Sequence, residues 1–307
     1  MNISLHQLQI FLKVTETQSI TKAAEELHLT QPAVSIQIKN LQDQFEIPII
    51  EIVGKKVFIT DFGMEIVAAA QRINEEINAI TSKAAAYRGE LIGKLKITVV
   101  STGKYVIPYF LSDFMKDHKG IELILDVTNR ARVKESLEKN EVDFALVSVL
   151  PDNLQVEIID LMENKLFLVG GRENKISNKK ADPGILTTLP LIFREPGSGT
   201  RHIMEKYIKD NNFRVIKKME LTSNEAVKQA LLADLGYSIM PLIGIGNELE
   251  RGDLRIIPVK GFPIRSTWTL IWLKNKKLSP VASAFMKFIQ EEKSGIIKRK
   301  FADFEKY

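Results

Sequence analysis

The 307-residue sequence predicts an N-terminal all-α head with a β-wing, joined through a long helix to an α/β body of two lobes. Three observations carry this reading. Apolar residues recur at helical spacing as far as Phe45, and a second apolar seam runs without proline from Ile66 to Tyr87. From Leu95 onward, short apolar strands alternate with amphipathic helices. At 45% hydrophobic content the chain has material for two or three domains with cores of their own.

In the head, Leu5, Leu8, Phe11 and Leu12 form a stripe behind Ser4, a residue suited to cap a helix. Ser19 caps a second, short helix in which Ala23 and Ala24 let a neighbour approach closely and Leu27 completes the buried side, with an end near His28 and Leu29. Thr30 then supplies a capping oxygen, and Pro32 stands where first-turn amides have no intrahelical partner. Along this third helix Val34, Ile38, Leu41 and Phe45 face inward, leaving Gln31, Ser35, Ile36, Lys39 and Gln42 outward. Val57, Phe58, Ile59 and Thr60 follow Gly54, Lys55 and Lys56 as a wing whose turn carries two cations. The arrangement is a winged helix-turn-helix. Its third helix has the short, polar N-terminal face that a helix entering a DNA groove needs, so Thr30, Gln31, Pro32, Ser35, Ile36, Lys39, Lys55 and Lys56 are the candidate DNA contacts. An ordinary helical hairpin is the competing reading of residues 19–45 alone.

Charge and composition narrow the function classes. Residues 1–63 carry five lysines against seven acids, a net of −2, while the remainder carries +7, so the whole-chain +5 is no DNA footprint. A DNA-binding head of this charge relies on hydroxyl, amide and helix-terminus contacts and on two copies acting together. The absence of cysteine excludes disulfides, thiolate metal sites and cysteine nucleophiles. His6, His28, His118 and His202 are scattered without metal-ligand spacing, no P-loop is present, and Gly197-Ser198-Gly199 does not form a nucleophile elbow. The sequence thus predicts no enzyme, no cofactor and no metal. A start without a basic segment and long apolar run, and no stretch of membrane-spanning length, make a cytoplasmic protein the expectation.

Ile66, Ala70, Ile73, Ile77, Ile80, Ala84 and Tyr87 alternate steps of four and three until Gly89 and Gly93 end the pattern. One helix showing such a seam to water is poorly stabilised, so it should pair with its own copy, packing along the body being the alternative. Beyond it, strands are expected at 95–100, 121–127, 144–149 and 268–273, with helices at 108–119, 133–139 and 280–292. A second strand and helix set at 166–242 makes the other lobe, joined by two crossings. Lys298, Arg299 and Lys300 with Phe301, Phe304 and Tyr307 read as a solvated, loosely docked end, with contact to DNA or a partner as the alternative.

In such a body a ligand belongs where strands end and helices begin. Ser101 and Thr102 follow the first strand, where capping and ligand contact are equally compatible. The segment from Arg194 to Arg201 offers more than a cap requires: Gly197 and Gly199 let the backbone turn, Ser198 and Thr200 bring hydroxyls, Thr200 can cap the next helix, and Arg201 adds charge for an anion. Ser223 and Asn224 precede a helix expected at 225–232, and there capping suffices.

Phe11, Val14, Ser19, Ala23, Ala24, Leu27, Gln31-Pro32-Ala33-Val34-Ser35, Ile38, Leu41, Thr60 and Gly63 together resemble the pattern of LysR-type transcriptional regulators. The likeness covers most of the chain. It departs at Ile52 and Ile36, where family members usually carry an arginine and often a basic residue, respectively. The resemblance implies a DNA-binding domain at 1–63, a linker and dimerisation helix at 64–90, and a periplasmic-binding-protein-like effector domain at 91–307. In that domain lobe I spans about 91–163 and 267–292, and lobe II about 164–266. It adds Asn129, Arg130, Ser148 and Val149 to the effector contacts. It implies a homodimer or homotetramer on a pseudo-palindromic operator, with RNA polymerase among the partners and no membrane. The Gly-Ser-Gly-Thr-Arg segment, with Ser-Asn-Glu-Ala further on, is similar to the branch of sulfur-assimilation and carbon-fixation regulators, which points to a small anionic metabolite. The rival is a solute-binding α/β protein with no DNA role.

Overall fold

The computed structural model describes residues 2–54, 56–86, 88, 90–173, 176 and 180–307; the expectations for Lys55, Tyr87 and Gly89 lie outside them. The chain divides into two compact units, Met1–Glu90 and Leu91–Tyr307.

In the first unit α1 (Leu5–Thr17), α2 (Ile20–Glu26) and α3 (Gln31–Gln42) precede a hairpin of β1 (Ile50–Val53) and β2 (Lys56–Ile59), and α4 (Asp61–Ala86) follows. The caps set the boundaries. Ser4 and Gln7 form a reciprocal capping box on α1, Ser19 accepts from the Lys22 amide, and Thr30 accepts from the Ala33 amide. Leu8, Phe11, Val14, Ala23, Ala24, Val34, Ile38 and Leu41 close one core, to which α4 contributes Val67 and Ala70. Phe45 also packs here, but beyond the end of α3, edge-on to Phe62 with ring centroids 5.5 Å apart. Gly63 permits the closest approach in the unit, because a Cβ there would stand 2.0 Å from the Ile49 carbonyl oxygen. The apolar seam of α4 is therefore divided: Ile66 and Ala70 serve the head's own core, while Ile73 and Ile80 lie exposed.

The second unit is built on a nine-stranded sheet. Lobe I begins with β3 (Gly93–Val100), α5 (Ile107–Asp117), β4 (Ile121–Thr128), α6 (Arg130–Glu138) and β5 (Phe144–Val147). The chain then crosses on β6 (Val156–Gly171). Lobe II comprises β7 (Pro190–Arg194), α7 (Gly199–Asp210), β8 (Ile216–Leu221), α8 (Asn224–Leu232), β9 (Tyr237–Pro241), α9 (Gly246–Arg251) and β10 (Leu254–Ile256). The return crossing is β11 (Ile264–Leu273), followed by α10 (Pro280–Lys300). The order β4-β3-β5-β11-β6-β9-β7-β8 makes the two crossings neighbours in the sheet. β6 and β11 pair antiparallel from Leu166↔Ile264 to Val156↔Leu273, with a register shift between Trp268 and Thr269.

The two expected crossings are long strands shared by both lobes. One expectation is corrected here, since the C-terminal end is not loose: α10 continues to Lys300, Phe301 is buried among Phe110 and Tyr109, and Lys165 donates to the Phe304 and Tyr307 carbonyl oxygens. Aromatic burial outweighs the basic run, whose charges remain at the surface. Among the described residues no helix is long and apolar enough to cross a membrane.

Candidate functional site

On the head, α3 presents Gln31, Pro32, Ile36 and Lys39 exposed, with Ser35 half-buried beside them. Pro32 has no N–H, the Ala33 amide is taken by the Thr30 hydroxyl at 3.3 Å, and the Val34 amide by the Thr30 carbonyl at 3.2 Å. The Gln31 amide stands at the positive end of the helix, where an anion is favoured. Gln31 Nε2 donates to Ser35 Oγ at 3.2 Å, which orients both side chains on the outward face. Gln42 departs from the expected outward role. Its amide clasps the loop into β1, accepting from the Ile49 amide at 2.7 Å and donating to the Ile47 carbonyl at 3.1 Å. In the wing, Gly54 takes φ of 64° and Lys56 is exposed, as are the apolar Ile52, Val53 and Phe58.

In the second unit the predicted ligand residues come from both lobes and converge. Ser101, directly after β3, accepts from Arg194 Nη2 at 3.2 Å and from Asn224 Nδ2 at 3.4 Å, so one hydroxyl of lobe I meets two side chains of lobe II. Thr102 is buried and makes no side-chain cap. Asn129 caps α6 by accepting from the Arg132 amide at 3.0 Å. Arg130 reaches the Leu150 carbonyl and Asp152, and its Nε is buried without a partner. Ser148 directly follows β5 and faces the start of α7, since a Cβ on Gly199 would lie 3.5 Å from its Oγ. Gly197 has φ of +86°, a conformation that carries the loop past Ala131 of α6.

Three sequence expectations change. Ser198, not Thr200, caps α7: its backbone is extended and its Oγ accepts from the Arg201 amide, whereas Thr200 is already inside the helix. Asn224 is the first residue of α8 and Ser223 its cap, which frees the Asn224 side chain for Ser101. Arg201 does not offer its charge to a ligand. Its guanidinium is held by Glu205 at 2.6 Å, Glu220 at 2.7 Å and the Arg194 carbonyl at 2.9 Å. Lys217 first, and Arg201 second, hold the Glu220 carboxyl below its ordinary range.

The cation at the centre is Arg194, which was not among the expected contacts. It is 3% exposed, pairs with Glu195 through Nε and Nη2, and leaves Nη1 buried without a partner. Its sequence signal was an arginine closing the apolar run Pro190–Arg194. A cavity of about 320 Å³ lined by Ser148, Val149, His202, Lys206, Asp210, Ile264 and Ser266 shares Ser148 and Val149 with the expected contacts but includes none of Ser101, Arg194 or Asn224. The Ser101, Arg194 and Asn224 cluster brings the start of α8 and a buried guanidinium edge to the end of β3, an arrangement suited to an anion.

A winged head and a two-lobed body with a polar cleft define a ligand-responsive, DNA-binding transcriptional regulator. Residues 5–64 match the bacterial regulatory helix-turn-helix protein of the lysR family, and residues 88–294 match the LysR substrate binding domain. The chain belongs to the LysR family. It is 38% identical over 293 residues to a RuBisCO operon transcriptional regulator of Allochromatium vinosum, covering 95% of this chain and 97% of that protein. To the HTH-type transcriptional activator CmpR of Synechocystis sp. it is 36% identical over 289 residues, 94% of this chain and 95% of the relative. The regulatory domain of Synechocystis PCC6803 CcmR, solved in complex with 2-PG, superposes with a TM-score of 0.62 at 31% identity over 64% of this chain and 95% of that one. Full-length CbnR complexed with its target DNA has a TM-score of 0.68 at 20% identity, covering 94% and 99%, a likeness of fold. The match over residues 5–64 displaces the reading of a solute-binding protein without a DNA role.

Proposed function

We propose that this regulator acts in the cytoplasm, without catalysis, cofactor or metal, as a homodimer or homotetramer on a pseudo-palindromic operator. Thr30, Gln31, Pro32, Ser35, Ile36, Lys39, Lys55 and Lys56 contact the DNA, and signalling runs to RNA polymerase. Its effector is a small metabolite with carboxylate or phosphate groups, bound between the lobes by Ser101, Thr102, Asn129, Arg130, Ser148, Val149, Gly197, Ser198, Gly199, Thr200, Ser223 and Asn224. The observation that carries this reading is the Ser101 hydroxyl shared by Arg194 and Asn224 across the cleft, beside a buried guanidinium nitrogen that has no partner. Because Glu195 already compensates Arg194, affinity for an anion comes chiefly from the helix termini and the hydroxyls. The structure of CcmR with 2-PG makes 2-phosphoglycolate the first compound to test. A ligand that prefers one lobe arrangement shifts the population toward it, and that shift is the signal.

With 2-phosphoglycolate at about a hundred times its dissociation constant, the full-length protein should gain about 2.7 kcal/mol in a thermal-shift measurement. Thr200→Val keeps the shape of a side chain at the helix start and removes its hydroxyl, which should weaken binding by about 1.5–3 kcal/mol for a bond to a charged ligand. No shift with 2-phosphoglycolate, phosphate or other small carboxylates would refute an anionic effector.

A further inference from the structure

Ile36 occupies an unusual place. It lies in the second turn of α3, on the same outward face as Gln31, Ser35 and Lys39, and 56% of its surface is exposed. No element of the head covers it, and its neighbours Val34 and Ile38 already fill the core beneath α3. Whatever DNA base edge meets this position meets a branched hydrocarbon.

The chemistry of the groove then selects the base. Guanine, adenine and cytosine present hydrogen-bonding atoms in the major groove, and Ile36 would strip water from them without offering a partner. Thymine alone presents a methyl group there. We infer that Ile36 is a specificity-determining residue that reads the C5-methyl of one thymine in each half-site. The inference rests on the assignment of α3 as the DNA-contacting helix and deepens it. Ile36 lies five residues after Gln31, about 7.5 Å along the helix. Its thymine therefore falls within about two base-pair steps of the base met by Gln31. The contact is a hydrophobic one and adds no cation, in keeping with the net charge of −2 on residues 1–63.

The test uses the full-length protein and an operator selected by that protein from a random duplex pool. Each thymine in the footprint is replaced singly by uracil, which removes the methyl group and nothing else, and binding is read by fluorescence anisotropy. Wild-type protein should lose about fourfold in affinity at one thymine per half-site and about fifteenfold when both half-sites are changed. Ile36→Ala should bind the unmodified operator more weakly by a similar factor and be indifferent to uracil at those positions; its exposed position leaves the fold intact. If no uracil position separates wild type from Ile36→Ala, while Gln31→Ala still weakens specific binding, α3 reads the DNA without Ile36 and the inference is wrong. If Gln31→Ala, Ser35→Ala and Ile36→Ala all bind as wild type does, the assignment of α3 itself fails and the inference falls with it.

Discussion

Gly63 has no room for a single added carbon. A Cβ there would meet the Ile49 carbonyl oxygen at 2.0 Å and Ile59 Cγ2 at 2.8 Å, and the first of these is backbone, which cannot swing aside. The same turn is tied by Thr60, whose hydroxyl donates to the Pro48 carbonyl at 2.6 Å and accepts from the Gly63 amide at 2.9 Å. Gly63→Ala must therefore push the strand away from the helix, and we expect it to destabilise the head by about 2–3 kcal/mol. The measurement is a urea denaturation midpoint, and a variant as stable as wild type would mean that this contact relaxes freely. In the second unit the buried Arg194 side chain touches Glu195 and Ser101 and keeps one nitrogen without a partner. Sequence could not separate Arg194 from Arg201, because both meet carboxylates, and one of the two that hold Arg201 is Glu220, nineteen positions beyond it and brought close by the pairing of β7 with β8.

Among the elements, the helices of the head were legible because their ends are written locally. Ser4, Ser19 and Thr30 each cap the helix they precede, and Pro32 fits only a first turn. The start of α7 was less legible, since Ser198 and Thr200 are both capping residues two positions apart and only the backbone angles choose between them. Strand β6 was read too short: Asp160, Glu163 and Asn164 interrupt its apolar pattern, yet Asn164 is buried and bonds Ser266 at 3.0 Å where the strand passes between lobes. The expected helix at 280–292 stops short of α10, which runs to Lys300 past the polar residues 291–293 and returns Ile296 to the core, with Phe301 just beyond. The linker helix α4 carries a prediction at this scale. With Ala70 spent on the head, the proposed self-association through this helix would draw on the later part of the seam, where Ile80 is 65% exposed. Ile80→Asp should halve the mass seen by light scattering; an unchanged mass would place the interface elsewhere.

For the whole molecule, charge is distributed against expectation. The head that meets DNA is net negative and the remainder of the chain holds the excess of cations. If two heads bind, each with Lys39, Lys55 and Lys56 at phosphates, about six contacts are made and log K should fall with log salt at a slope near −5. A slope steeper than about −8 would show that cations outside the heads join the complex. The paired crossings β6 and β11 have a consequence for how the protein is made. Lobe II is one uninterrupted stretch between them, whereas the lobe I core joins Leu95 and Phe110 to Trp268, Leu270, Phe285 and Phe301. A ribosome therefore delivers every strand of lobe II while lobe I still lacks a central strand and its covering helix. Since domains fold as units in order of synthesis, the lobe that begins first is completed last, and until β11 and α10 emerge its apolar strands are the part of the nascent chain left for a chaperone to shield.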